Sequence, residues 1–218
     1  MRIDMTETVA SVGQPPEWAA VTIVAAGQRM DARGWVPATA GNISVRLPDD
    51  TIAITSSGNH KGFLKTSDIM VVDQAGKPLT PGLKPSAETL LHCQIYRLDN
   101  QAGAVVHGHS VAATVLSMAP GQNDAPPDFI RLEGYEVLKV FGVKTHQITL
   151  DLPILDNDQD MERLASVAEP ILLRGAPLGY LIRGHGVYVW GGDMAAALAR
   201  LEGLEFLLAC ELERRRLR

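Results

Sequence analysis

The sequence feature that most constrains the fold is an apolar segment, 178–190, which is interrupted once by Arg183-Gly184-His185-Gly186. An apolar run of this length with a glycine-rich break predicts two buried strands joined by a tight bend. The glycines on either side of His185 allow the backbone to turn and leave the imidazole unobstructed. Because the wider apolar run 171–190 also contains two arginines, we do not predict a membrane-spanning helix there.

Helical and extended patterns alternate along the remainder of the chain. Apolar residues spaced for one helix face, together with capping residues, predict helices at 17–33, 86–98, 110–118 and 160–173, a short one at 132–141, and a long final one after Asp193. Strand patterns occur at 42–46, 51–55, 69–73, 103–107 and 147–155. We therefore predict an α/β or α+β fold in which helices flank a central, mainly antiparallel sheet.

Length, charge and cysteine usage limit the class of protein. The 218 residues fit one domain, 1–218, in which we expect residues 1–16 to form a flexible N-terminal lead. A net charge of -5 provides no broad positive surface, so we expect neither nucleic acid nor a membrane as a partner. Cys93 and Cys210 form no CxxC pair, and the N-terminus lacks the apolar run of a signal peptide. We therefore expect a cytoplasmic protein with reduced thiols.

A histidine pair, His107-Gly108-His109, ends the strand pattern at 103–107. Residues two apart in extended backbone point to the same side, so both imidazoles can bind one metal ion. With His185 as a third ligand, a fourth position stays open, as a catalytic zinc requires. An isolated histidine at a strand end usually bonds only to backbone carbonyls, but the pair with a third glycine-flanked histidine favours a metal site, which we expect to hold one zinc ion per chain.

Three short segments rich in Gly, Ser, Asn and Lys lie where loops meet strands or helices: Thr39 to Asn42, Ser57 to Lys61, and Lys84 to Ser86. Backbone amides in such turns and at helix starts point hydrogen-bond donors at anions. The spacing alone leaves open whether the three segments meet at one phosphate. His92, four residues after Glu88 on the same helix face, is either a partner behind the site or a packed core histidine.

Taken in order, five motifs resemble the class II aldolase/adducin family: TAGNIS (39–44), TSSGNHKG (55–62), KPSAETLLH (84–92), AVVHGHS (104–110) and RGHGVYVWG (183–191). The resemblance implies the class II aldolase-like fold and zinc held by His107, His109 and His185. It implies that phosphate is held by Asn42, Ser57, Gly58 and Ser86, with Lys61 close by. It also implies a homotetramer with sites near subunit contacts.

The resemblance leaves two glutamates as candidates for acid–base catalysis. Glu88 matches the position used by the sugar-phosphate aldolases, whereas Glu136 matches the acid–base glutamate of a dehydratase branch. We predict Glu136 as the main group, because an apolar surrounding would raise its pKa and suit proton delivery to a leaving hydroxyl. Glu88 is predicted to be secondary, with its ionised form favoured by a helix start and by Lys84.

Within the family, the segments GNHKG, GYEVLK, PILDNDQD and GYLIRGHGVYVWG are most similar to the branch that dehydrates a phosphorylated ketose. We therefore expect zinc-dependent loss of water from 5-methylthioribulose 1-phosphate, a step of methionine salvage. The alternative is an aldolase or epimerase that acts on another phosphorylated ketose. A non-catalytic, adducin-like interaction module would be expected to lack metal ligands, whereas this chain has all three histidines.

Overall fold

The computed structural model describes residues 13–119 and 128–217, and the described strands form one eight-stranded sheet in the order β3-β2-β1-β4-β8-β7-β6-β5. The strands are β1 (Asn42–Arg46), β2 (Ile52–Thr55), β3 (Ile69–Val72), β4 (Ala104–Gly108), β5 (Asp128–Glu133), β6 (Thr149–Leu155), β7 (Tyr180–Ile182) and β8 (Val187–Gly191). All neighbouring pairs are antiparallel except β6 and β7, which are parallel. The predicted central, mainly antiparallel sheet is confirmed.

Within the described ranges, five α-helices pack on this sheet: α1 (Glu17–Ala32), α2 (Thr89–Leu98), α3 (Val111–Met118), α4 (Met161–Leu173) and α5 (Met194–Arg216). Side-chain caps fix the starts of three of them. Ser110 Oγ accepts from Ala113 N at 3.0 Å before α3, and Asp193 Oδ1 accepts from Ala196 N at 2.7 Å before α5. Asp160 caps α4 in the same way. None of the described helices combines the length and the apolar composition that a membrane-spanning segment needs.

Two predicted elements differ from the structure. The helix predicted to start at Ser86 begins at Thr89, because the chain first makes a turn in which Thr89 N donates to Ser86 O at 3.1 Å. The helix predicted at 132–141 is wrong in its first part, since Glu133 still pairs with Thr149 in the sheet and a 3-10 helix follows at Glu136–Phe141. The predicted N-terminal lead lies outside the described residues except for its last four positions, 13–16.

Each face of the sheet carries its own apolar core. The face covered by α1, α3 and α5, termed the α5 face, buries residues such as Val106, Leu201 and Leu204. The face covered by α2 and α4, termed the α2 face, buries residues such as Val105 and Leu91. Alternation of side chains along β4 explains why Val105 and Val106 belong to different cores. Each fully buried leucine contributes about 1.5–3 kcal/mol to stability.

One edge of the sheet gathers several strand ends. His107 in β4 is paired with Asn42 at the start of β1 and with Tyr188 near the start of β8. The ends of β6 and β7 meet beside this point, where Leu155 pairs with Ile182. Residues that leave β4 and β7, and those that enter β1 and β8, therefore converge here. We call this group of strand ends, which lies at the ends of the central strands and not at an outer strand of the sheet, the histidine edge.

Candidate metal centre

The histidine edge brings together His107, His109, His185 and Glu88. One ligand atom from each of these four residues lies within 4.8 Å of the others. His107 and His109 come from the end of β4, and His185 from the bend between β7 and β8. Glu88 comes from the turn that precedes α2. Three separate backbone segments therefore supply the four side chains, and two of these segments leave strands of the sheet.

His107 is held on two sides. Its Nδ1 donates to Val187 O at 2.9 Å, so the proton is on Nδ1 and the lone pair of Nε2 is free for a metal. Its ring stacks on Tyr188, with ring centroids 4.0 Å apart and planes 16° from parallel. Tyr188 is the residue directly opposite His107 in the β4–β8 ladder, which explains the contact. The side chain of His107 is completely buried.

The other two histidines are held mainly through their backbone. His109 N donates to Trp35 O at 2.6 Å, and burial lowers the pKa of its imidazole to about 3, which leaves it in the neutral form that binds metals. Among the described residues, the buried Nε2 of His109 has no hydrogen-bond partner. The bend that carries His185 is fixed by α3, since Thr114 Oγ1 donates to His185 O at 3.1 Å. His185 Nδ1 lies 3.5 Å from Asn157 Oδ1.

Glu88 provides the only carboxylate of the cluster. Its Oε1 lies 2.7 Å from His185 Nε2 and 3.5 Å from His107 Nε2, while its Oε2 accepts a hydrogen bond from the amide of Asn42. Burial by itself would raise the pKa of Glu88, but the contacts of its carboxylate with His107 and His185 outweigh burial and lower the pKa below its usual value. The predicted ionised form is thus favoured, although by histidines rather than by a helix start.

The geometry of these donors suits a zinc ion. His107 Nε2 and His185 Nε2 are 3.4 Å apart. Two nitrogens bound to one tetrahedral zinc at about 2.0–2.1 Å are separated by about 3.4 Å. Imidazole nitrogens and a carboxylate oxygen are also typical zinc donors. The residues present therefore fit a divalent metal ion, with Glu88 either as a fourth ligand or as a base beside it.

Behind the centre lies a buried polar network on the α2 face. His92 Nδ1 is 2.7 Å from Ser44 Oγ, which is 2.8 Å from Tyr96 Oη. The ring of His92 also meets Tyr188 edge-on, with centroids 5.6 Å apart. His92 is thus both a packed core residue and a partner behind the site, because Tyr188 in turn stacks on His107. Sequence reasoning missed Tyr188; the signal was its position on the same strand face as Trp190 within an otherwise aliphatic run.

The predicted anion-binding residues lie around the same edge but in different environments. Ser57 and Gly58 are exposed, and Gly58 has a φ of +85°, a left-handed conformation that glycine tolerates. Ser86 Oγ accepts from Glu88 N at 3.4 Å. Asn42 is buried and engaged with Glu88. Lys61, expected near the phosphate, is almost completely buried.

Within one chain the structure does not bring Glu136 to this cluster. Strand β5 starts at the histidine edge, where Asp128 pairs with Ile154, and runs about 17 Å away from it before Glu136 follows. The side chain of Glu136 is 68% exposed, and a hydrogen bond from Lys139 lowers its pKa. The predicted apolar surrounding with a raised pKa is therefore wrong, because the 3-10 helix turns this residue toward solvent beside Lys139.

The sequence and fold were compared with known proteins. Residues 21–212 match the family described as Class II Aldolase and Adducin N-terminal domain. A methylthioribulose-1-phosphate dehydratase from Granulibacter bethesdensis is 97% identical over 214 residues, which cover 98% of this chain and 100% of that protein. One from Gluconobacter oxydans is 65% identical and covers 88% of this chain and 90% of that protein.

A similar architecture occurs among solved structures. The l-fuculose-1-phosphate aldolase from Thermus thermophilus superposes with a TM-score of 0.70 at 26% identity, over 90% of this chain and 95% of that one. The predicted class II aldolase-like fold is thereby confirmed. Because the family match extends over most of the chain and includes all four residues of the cluster, the chain belongs to the class II aldolase and adducin family.

Proposed function

We propose that this chain catalyses the loss of water from 5-methylthioribulose 1-phosphate to give 2,3-diketo-5-methylthiopentyl 1-phosphate, a step of methionine salvage. The observation that carries the proposal is the convergence of three histidine ligands and Glu88 at one sheet edge, beside candidate phosphate donors. The two relatives described above, 97% and 65% identical, are methylthioribulose-1-phosphate dehydratases. The chain is therefore a hydro-lyase, which we expect to work in the cytoplasm.

We assign His107, His109 and His185 as the ligands of one zinc ion per chain. When bound, zinc acts as a Lewis acid that withdraws electron density from a carbonyl and so makes the neighbouring carbon acidic. The hydrogen bond from His107 Nδ1 to Val187 O keeps Nε2 unprotonated for this purpose. The low pKa of His109, about 3, has the same consequence for its ring.

We assign to Glu88 the removal of the proton from C3 of the substrate. Its carboxylate is ionised, and the amide of Asn42 fixes one of its oxygens so that the other faces the site. The electron pair of the C3–H bond forms the C3–C4 double bond, and the C4 hydroxyl leaves with a proton from an acid as water. The C3 enol then takes up a proton at C4 and loses the proton of its C3 hydroxyl, which gives the 2,3-diketone.

The acid that protonates the leaving hydroxyl is assigned to Glu136 of a neighbouring copy in a homotetramer. Within its own chain Glu136 is solvent-exposed and follows the end of β5 that points away from the histidines. It is therefore available to a second subunit. Lys139 and His146, whose Nδ1 lies 3.5 Å from Glu136 Oε2, are the neighbours of its carboxylate within the chain.

The phosphate is assigned to the segments that surround the histidine edge on the β1 and β2 side. In an exposed turn Ser57 offers its hydroxyl and Gly58 its backbone amide, whereas the amide of Ser57 is bonded to Lys84 O; Ser86 offers a hydroxyl beside Glu88. Asn42 lies between this group and the metal ligands, since it pairs with His107 in the sheet and contacts Glu88. The phosphate and the reacting carbons are therefore bound by adjacent strands.

The test is to incubate the zinc-loaded protein separately with 5-methylthioribulose 1-phosphate and with L-fuculose 1-phosphate and to follow both by NMR. We expect the diketone from the first substrate and no carbon–carbon cleavage of the second. Cleavage of fuculose 1-phosphate without dehydration of the first substrate would instead support an aldolase, the activity of the Thermus thermophilus neighbour. If the zinc-loaded protein converted neither substrate, the proposed dehydratase activity would be contradicted.

A further inference from the structure

Lys61 is one of the largest completely buried side chains of the protein, with 2% of its surface exposed. Its ammonium donates to Thr39 O at 2.8 Å and to Asn59 O at 2.6 Å. In the part of the chain that the structure describes, Lys61 forms no ion pair with a carboxylate; Glu88 acts on it only through the longer-range Coulomb field. A buried ammonium without a contacting counter-ion is costly, so its position requires a reason.

The two carbonyl partners of Lys61 belong to two different segments of the anion-binding region. Thr39 precedes Asn42, and Asn59 follows Ser57 and Gly58. The contact between strands β1 and β2 ends, on the side of these two segments, with the hydrogen bond from Ile43 N to Thr55 Oγ1 at 3.3 Å. Beyond it, among the described residues, the ammonium of Lys61 is the group that hydrogen-bonds to both segments.

The backbone of Lys61 is itself held in place from the other side. Helix α1 packs on the 3-10 turn Lys61–Phe63, and a Cβ on Gly27 would lie 2.4 Å from Lys61 O. The close approach of α1 therefore needs glycine at this position. Because Lys61 is anchored at its backbone, its ammonium is a fixed point to which the loops are attached, not a mobile surface charge.

The ammonium has three N–H donors, and the two carbonyls use two of them. Burial lowers the pKa of Lys61 to about 8, so most of the population still carries the charge at neutral pH. An anion that binds between the two loops would meet this charge in a region of low dielectric constant, where its effect is large.

We propose that Lys61 is a positioning residue that joins segments 39–42 and 56–59, so that their donors face one phosphate, and supplies the buried positive charge of that site. The identity of the anion as a substrate phosphate rests on the proposed function. The joining of the two segments does not, because it is a property of the protein without ligand. If Lys61 only contacted the phosphate and did not join the two segments, its replacement would leave the exchange of both segments unchanged in the protein without ligand.

The experiment compares hydrogen exchange of the zinc-loaded protein in three forms: wild type, Lys61→Met and the exposed control Lys65→Met. Without ligand, Lys61→Met is expected to speed exchange of amides in 39–42 and 56–59 by about tenfold or more and to leave β4 and β8 unchanged. Inorganic phosphate, titrated as a direct ligand through its protection of these amides from exchange, is expected to bind about tenfold more weakly to this variant. The zinc content of Lys61→Met should equal that of the wild type. Lys65→Met should match the wild type in exchange, phosphate binding and zinc content.

Unchanged exchange in both segments of Lys61→Met would overturn the positioning role, even if phosphate binding were lost. Should Lys61→Met fail to fold, the wild type alone decides the matter: inorganic phosphate must slow exchange in both segments together, and protection of 56–59 only would contradict the proposal. Neither readout requires turnover. A failure of the proposed dehydration would therefore leave this result interpretable.

Discussion

The two faces of the sheet are built from different chemistry. The buried members of the α5 face are aliphatic residues and phenylalanine, without tyrosine or tryptophan. The α2 face instead buries Tyr96, Tyr180, Tyr188 and Trp190, together with the polar side chain of His92. The first face resembles an ordinary apolar core, whereas the second contains groups that can orient one another by hydrogen bonds and ring contacts.

This difference indicates that one face contributes mainly to stability and the other mainly to the orientation of the metal ligands. Within the described residues, polar atoms of His92, Tyr180 and Tyr188 on the α2 face are buried without a protein hydrogen-bond partner. Such groups reduce stability in an apolar core. The α2 face is also the face toward which His107 points, as its stacking on Tyr188 shows. We infer that the α5 face supplies most of the stability and that the α2 face orients the metal ligands.

The largest effect is expected from His107→Ala, which removes a metal ligand on the α2 face. Purified protein should lose most of its zinc, and turnover should fall by more than about 100-fold, since even changes behind a ligand cost 10–100-fold. Metal analysis and steady-state kinetics measure the two effects, with circular dichroism to verify the fold. Full zinc content together with full activity would contradict the metal centre.

The matched change on the other face is Leu201→Ala, which truncates a completely buried residue of α5. Its loss is expected to lower the free energy of unfolding by about 2–5 kcal/mol. The zinc content of the folded protein should remain at the wild-type level. Denaturant unfolding and metal analysis test this pair of results, and a selective loss of zinc without destabilisation would contradict the separation of the two faces.

Glu205 is an exception on the α5 face, because its carboxyl is buried beside Ser110 and burial raises its pKa from 4.5 to about 7. The folded chain holds this proton more tightly than the unfolded chain, so the stabilisation is present below about pH 4.5 and is lost as pH rises through about 7. Glu205→Gln should remove this pH dependence, worth roughly 1–3 kcal/mol. Unfolding curves at pH 5 and pH 8 measure it; an unchanged slope would contradict the assignment.

The smallest expected effect concerns Tyr188. Tyr188→Leu removes the ring that stacks on His107 and should weaken zinc binding about tenfold, the lower limit for a group behind a metal ligand. Tyr188→Phe keeps the ring and should bind zinc as the wild type does. Chelator competition gives the affinities, and the visible spectrum of the cobalt-substituted protein reports ligand geometry. Equal spectra and affinities for all three proteins would remove the positioning role.

Much of the fold could be predicted from the sequence, because apolar residues recur with the spacing of a strand or of a helix. Strand β1 and the cap at Asp193 were predicted at their observed positions. The grouping of His107 with His109 was also predictable, since extended backbone determines which side chains share a side. The prediction was wrong in part of 132–141, because a short strand followed by a 3-10 helix gives no regular spacing of apolar residues.

Long-range features of the site were not predictable from spacing. The burial of Lys61 depends on the packing of α1 against its backbone, and the contact of Glu88 with His185 depends on the sheet order. The exposure of Glu136 depends on the path of the chain after β5. Each of these requires the relative placement of segments far apart in sequence, which local patterns do not encode.

The most direct test of the metal-dependent dehydratase is to titrate zinc into the metal-free protein while dehydration of 5-methylthioribulose 1-phosphate is measured. Because one set of ligands, His107, His109 and His185, is assigned to each chain, activity should rise in proportion to bound zinc and reach its maximum at about one zinc per chain. Full activity of the metal-free protein would contradict this account, as would bound zinc at one per chain without any dehydration.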